Sequence, residues 1–124
     1  MYQALVDHLQ ALGHRVLSAH LASTTVLAED AANSAEAVFE RDTGWVRDCE
    51  AVIAEVSTPS HGVGFEIAYA LERQKPVLCL AREEVKVSKM LTGIRREGFA
   101  FQTYRTADEA LAHAASFLAV AAPR

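Results

Sequence analysis

The run Ala51-Val52-Ile53-Ala54-Glu55-Val56 constrains the fold more than any other part of this sequence. A strand with one wet face alternates apolar and polar residues, whereas a nearly continuous apolar run needs cover on both faces, the condition of a strand inside a parallel sheet. A segment rich in turn residues follows, Ser57-Thr58-Pro59-Ser60-His61-Gly62-Val63-Gly64, and then Phe65 to Arg73 reads as a helix with Ile67, Ala68 and Leu71 facing inward. Pro76 opens a second buried run, Val77 to Ala81. Two parallel strands cannot be joined by a tight hairpin, so this order predicts a strand–loop–helix–strand unit.

The rest of the chain extends the same alternation. Tyr2, Leu5, Val6, Leu9 and Leu12 recur at helical spacing up to Gly13, and His14 to Ser18 is short and partly β-branched, as a strand would be. From about Ala31 to Cys49 the spacing predicts a helix with Val38, Trp45, Val46 and Cys49 on one face, Arg41, Arg47 and Glu50 pointing away, and Gly44 as a weak point in its middle. Ser88 to Ile94 reads as a short helix or ordered turn and Phe99 to Tyr104 as a strand. Thr106-Ala107-Asp108-Glu109 matches a capping box opening a helix to about Val120. The expected fold class is α/β, an open doubly wound parallel sheet in three layers of the Rossmann or flavodoxin-like kind.

With 124 residues, a single domain is expected, and a chain of this size buries about two-thirds of its unfolded surface. A net charge of −4 disfavours a broad grip on polyanionic nucleic acid, while leaving room for one small anion held by local donors. No apolar stretch approaches the roughly 18 residues of a membrane span. The N-terminus has no export pattern, so a cytoplasmic protein is expected. Cys49 and Cys79 fall in different elements without CxxC or matching histidine spacing and are read as packing thiols; neither a metal nor a cofactor is expected.

Ligands of open α/β sheets collect beyond the C-terminal ends of the strands, where loops run into helix N-termini. The segment from Ser57 to Glu66 falls there. Gly62 and Gly64 would let backbone approach a ligand and Ser60 would add a hydroxyl beside the amides, a cradle for a phosphate; an ordinary strand-to-helix turn needs the same residues. Glu66, placed in the first turn of a helix beginning at Phe65, would be kept ionised by the helix dipole and so suit a nucleophile, although by itself it reads first as simple compensation of the helix terminus. Asp42 reads from its position alone as a solvated helix residue.

Taken together, Glu40-Arg41-Asp42-Thr43-Gly44-Trp45, then Asp48-Cys49-Glu50 leading into Ala51 to Val56, then Pro59-Ser60-His61-Gly62-Val63-Gly64-Phe65-Glu66 resemble the nucleoside 2-deoxyribosyltransferase superfamily, and within it the 2′-deoxynucleoside 5′-monophosphate N-glycosidases. The likeness runs from about Tyr2 to Leu118. It implies a hydrolase that releases the free base of a deoxynucleoside 5′-monophosphate and leaves 2-deoxyribose 5-phosphate. Glu66 would be the nucleophile on C1′ and Asp42 the group that protonates or orients the departing base. Ser60 and the amides near Gly62 and Gly64 would bind the 5′-phosphate, and His20 would contact sugar or base. Ser88 would be lent to a neighbouring subunit's phosphate site, which implies a homodimer.

The chain departs from the resemblance at its start, where the first strand of the family fold and its Gly-containing loop are lacking. That strand would lie between Arg15–Ser18 and Ala51–Val56, so its loss is expected to expose backbone edges there and to leave the 124-residue form unstable or weakly active. Three other readings stay open at this stage. One is a transferase that passes the deoxyribosyl group to another base, one a hydrolase of a ribonucleotide, and one a nucleotide-binding or dimerising domain without catalysis.

Overall fold

The computed structural model describes Val16–Ser18 and residues 32–121. Its elements are β1 (Val16–Ser18), α1 (Ala35–Asp48), β2 (Ala51–Glu55), α2 (His61–Glu72), β3 (Val77–Arg82), α3 (Lys89–Thr92), β4 (Phe99–Tyr104) and α4 (Ala107–Ala121). The strands form one sheet in the order β1-β2-β3-β4, every neighbouring pair parallel. The expected strands, the first included, are therefore present. The helix expected over Tyr2 to Leu12 lies outside the described residues.

The continuous apolar runs are covered on both faces, as their composition requires. On one face Val52, Ala54 and Val56 of the β2 segment join Val77, Cys79 and Ala81 of β3 against Val46 and Cys49 from α1 and Val63, Ile67 and Ala70 from α2. On the other, Ala51, Ile53, Leu78, Leu80 and Tyr104 pack on Ala110, Ala114 and Leu118 of α4. Alternate residues of a strand face opposite ways, so one strand feeds two cores and the three-layer arrangement follows. Both cysteines are buried thiols within the first core, and burial pushes the Cys79 thiol up to about 12. They behave as packing residues.

Four expectations are corrected. The open edge between the first strand and the 51–56 strand is absent, because Val16, Leu17 and Ser18 pair directly with Ala51, Val52 and Ile53. Unpaired backbone groups at a sheet edge take whichever strand is within reach. Gly44 does not interrupt α1, which is capped by Ser34 accepting from Ala37 N–H and runs whole to Asp48; one glycine costs about 1 kcal/mol, less than the packing of Val46 on the sheet returns. Trp45 is 39% exposed, with the Arg41 guanidinium 4.8 Å over its ring, and Thr43 is buried on that helix beside Val46. Thr43 satisfies its hydroxyl on the Phe39 carbonyl at 2.7 Å, so it is buried without an orphaned donor. In α2 the inner line is Val63, Ile67 and Ala70, and Ala68 is exposed.

Candidate active site

Helix α2 begins at His61, one turn before the glycine-rich stretch was expected to end. The reason lies in Ser60. Its backbone is extended and its Oγ accepts from Val63 N–H at 3.2 Å, an N-cap that sets the first helical turn on His61-Gly62-Val63. The first intrahelical bond is Gly64 N–H to Ser60 C=O at 3.1 Å. First-turn amides have no acceptor inside a helix, so those of His61 and Gly62 point out of the N-terminus beside the Ser60 hydroxyl, a suitable place for an anion.

The earlier start moves Glu66 out of the first turn. The expectation that the helix dipole keeps it ionised is therefore corrected. Glu66 is pushed up from 4.5 to about 7, first by burial, then by the negative charge of Asp42, with Arg41 opposing. A carboxyl group poised near neutrality is divided between acid and anion at working pH, which suits proton transfer as well as nucleophilic attack.

Asp42 stands on α1, in its own third turn, and Glu66 on α2; these helices lie side by side on one face of the sheet. The two carboxylates line one cavity of about 510 Å³ together with Asn33, Phe39, Gly62 and Phe65. Arg41 Nε donates to Asp42 Oδ1 at 2.8 Å. Phe39 and Phe65, each about half exposed at 49% and 51%, meet edge to face at 5.8 Å on the cavity wall. They present flat apolar surface beside the two acids, the kind on which a planar heterocycle rests. The aromatic pair had no place in the sequence reading, since residues so far apart along the chain carry no shared periodic signal.

The other candidates divide. Ser60 sits at the helix N-cap adjoining this cavity, and Gly62 lines it. Gly64 lines a different groove, of about 590 Å³, with Ile67, Leu71, Met90, Leu91 and Ile94. A Cβ at Gly64 would meet nothing within 4 Å, so its backbone is not crowded by the protein itself. Ser88 caps α3 on the far side of that groove, its Oγ accepting from Met90 N–H at 3.1 Å, and it does not reach the Asp42–Glu66 cavity within this chain. His20 lies outside the described residues. His61 is exposed. Among the described residues no three His, Cys, Asp or Glu side chains are grouped to hold a metal ion, and no helix is long and apolar enough to cross a membrane.

Sequence reasoning also passed over Glu55, a buried carboxylate at the C-terminal end of β2. Its signal was in plain view, one acid within an otherwise apolar strand.

Comparison with known proteins bears on this geometry. The profile of the family described as nucleoside 2-deoxyribosyltransferase matches residues 1–118. A protein of Thermofilum pendens, provisionally named 2′-deoxynucleoside 5′-phosphate N-hydrolase 1, is 44% identical over 109 residues, 86% of this chain and 76% of its own length. The mouse 5-hydroxymethyl-dUMP N-hydrolase is 36% identical over 113 residues, and the chain spans 64% of its length. Among solved structures, the CMP N-glycosidase of Clostridium botulinum superposes with a TM-score of 0.62 at 22% identity, over 69% of this chain and 72% of that one. That likeness speaks to the fold.

Proposed function

Because this chain belongs to the nucleoside 2-deoxyribosyltransferase family, we propose that it hydrolyses the N-glycosidic bond of 2′-deoxynucleoside 5′-monophosphates, giving a free base and 2-deoxyribose 5-phosphate. The observation that carries the reading is the shared cavity of Asp42 and Glu66, with Glu66 poised near pH 7. Relatives named as N-hydrolases of deoxynucleoside phosphates supply the substrate class.

The chemistry proceeds by the retaining logic of two carboxyl groups. Departure of the base leaves an oxocarbenium-like sugar; the proton that Glu66 holds near neutrality passes by way of Asp42 to the leaving base nitrogen, and Glu66, now the anion, forms the new bond at C1′. Water then attacks C1′, giving its proton to the Asp42 carboxylate, and the Glu66–sugar ester breaks to return both acids to their starting state. Phe39 and Phe65 offer the base a stacking wall, and Ser60 with the His61 and Gly62 amides holds the 5′-phosphate at the α2 N-terminus. A phosphate there lies over the positive end of a helix dipole, which anchors the sugar for in-line attack.

The protein acts in the cytoplasm as a homodimer in this reading. The apolar groove beside α3, with Met90 83% exposed, supplies a surface for the second copy and brings Ser88 toward the partner's site. Sedimentation at micromolar concentration tests it, a monomer being the adverse result.

Incubation with a deoxynucleoside 5′-monophosphate, following free base and 2-deoxyribose 5-phosphate, tests the main reading. The expected result is stoichiometric release of both, with no deoxyribosyl transfer to an excess of added base. Transfer in preference to hydrolysis would assign the chain to the transferases, and absence of either product would leave a binding domain.

A further inference from the structure

Glu55 ends β2 with its side chain on the α4 face and is 8% exposed. Three donors converge on its carboxylate. Ser57 N–H reaches Oε1 at 2.9 Å, Ser57 Oγ–H reaches Oε2 at 2.6 Å, and Tyr104 O–H, at the end of β4, reaches the same Oε2 at 2.5 Å. The Ser57 hydroxyl in turn accepts from Arg82 N–H at 2.9 Å, at the end of β3. One acid thus fastens together the C-terminal ends of β2, β3 and β4.

Such short O–H···O contacts are in the range of charge-assisted bonds. A buried acid is not needed to cover this face of the sheet: an apolar side chain would fill the space without the desolvation cost, and exchanges of that kind are often neutral or stabilising. What an apolar residue would not do is hold Ser57. From Ser57 the chain runs through Thr58 and Pro59, whose ring restricts both its own φ and the residue before it, directly into the N-cap Ser60. The orientation of Ser57 is therefore passed along a short, stiff segment to the amides of His61 and Gly62. Glu66 lies a turn farther on, where Val63 and Ile67 anchor α2 to the sheet.

We propose that Glu55 is a positioning residue for the phosphate end of the site, acting through Ser57 with Tyr104 as its brace; the proposal rests on the reading of the α2 N-terminus as the phosphate subsite. Loosening this latch shifts the Ser60–Gly62 amides while leaving Asp42 and Glu66 in place. Substrate binding suffers and the chemical step does not.

Steady-state kinetics of Tyr104→Phe and Glu55→Gln with a deoxynucleoside 5′-monophosphate provide the test, beside Ile53→Val, a buried change on the same face that leaves the latch intact. Both latch variants are expected to raise KM about tenfold with kcat changed by less than about threefold, while Ile53→Val leaves KM alone. Unchanged KM in a folded latch variant overturns the proposal, as does an equal rise of KM in Ile53→Val, or a loss confined to kcat. Should Glu55→Gln fail to fold, Tyr104→Phe, which removes a single hydroxyl, decides. If the wild type releases no base, the functional reading falls separately. Titration with inorganic phosphate, followed through the amide resonances of His61 and Gly62, then decides the positioning role. Binding about tenfold weaker in Tyr104→Phe upholds it, and equal binding, or no binding by the wild type, overturns it.

Discussion

Arg41 places its Nε 2.8 Å from Asp42 Oδ1, and these adjoining residues of opposite charge act on Glu66 in opposite senses, Asp42 raising its pKa and Arg41 lowering it. The protonation of Glu66 is therefore set by a balance, with burial as its largest contributor.

The first prediction concerns pH. Unfolded, the Glu66 carboxyl titrates near 4.5; folded, near 7. Between those values the folded chain keeps a proton that the unfolded chain has lost, so the contribution of this group to stability is fullest below pH 4.5 and is lost as pH rises through 7. Activity falls over the same upper range. The pair must hold one proton for the leaving base, so kcat/KM declines as pH rises through about 7. A pH–rate profile and carbon-detected titration of the Glu66 carboxyl should agree on the same midpoint.

Removing the group should separate stability from function. Glu66→Gln is expected to reduce turnover by roughly a thousandfold or more. The same change relieves the cost of a partly buried anion, so at pH 8 the variant should be more stable than the wild type, by about 1 kcal/mol once solvent screening of its exposed portion is allowed for. Thermal unfolding at pH 5 and pH 8 would show the gain at the higher pH only.

The balance itself can be tilted both ways. Asp42→Asn removes the repulsion and should move the Glu66 titration to lower pH, whereas Arg41→Gln removes the attraction and should move it higher. Titration by NMR reads these shifts even where turnover is lost. An unmoved titration in both variants would mean that burial alone governs the group.

Ser60 is expected to serve two ends. Ser60→Ala removes the N-cap of α2 and should cost about 1 kcal/mol of stability. It should also weaken binding of a monophosphate more than that of the corresponding nucleoside, which has no phosphate to place at this helix end. Equal weakening of both ligands would remove Ser60 from the phosphate subsite.

Backbone conformation supplies a prediction independent of function. Gln74 follows α2 in the left-handed region at φ 60°, and Gly98, before β4, has φ 85°. Gln74→Gly should stabilise the fold by about 0.5–1 kcal/mol and Gly98→Ala should destabilise it by about 1 kcal/mol or more. Denaturant midpoints compare the two directly.

Much of this architecture was legible because it is local. The apolar runs 51–56 and 77–81 announce strands covered on both faces, and half of the capping box at Thr106 is realised: Glu109 N–H donates to Thr106 Oγ1, while Glu109 Oε1 accepts from Arg105 N–H, one residue before the cap. The start of α2 was misplaced because glycines signal a turn by propensity, while the Ser60 cap that outweighs them acts through one hydrogen bond to Val63. Trp45 was assigned inward by its hydrophobicity, yet the face of α1 that meets the sheet is centred on Val46 and Cys49.

The sequence by itself determined the order of strands and helices, the class of sheet, and through the residues from Glu40 to Glu66 the family to which the chain belongs. Periodicity and motif are properties of neighbours along the chain, and they survive without coordinates. Only the tertiary structure decided that Asp42 and Glu66 line one cavity, that Glu66 is raised rather than held ionised, and that Glu55 is latched to Tyr104, 49 positions away. Desolvation and Coulomb interaction depend on distance through space, which the packing of α1, α2 and the sheet sets and no local pattern of residues records.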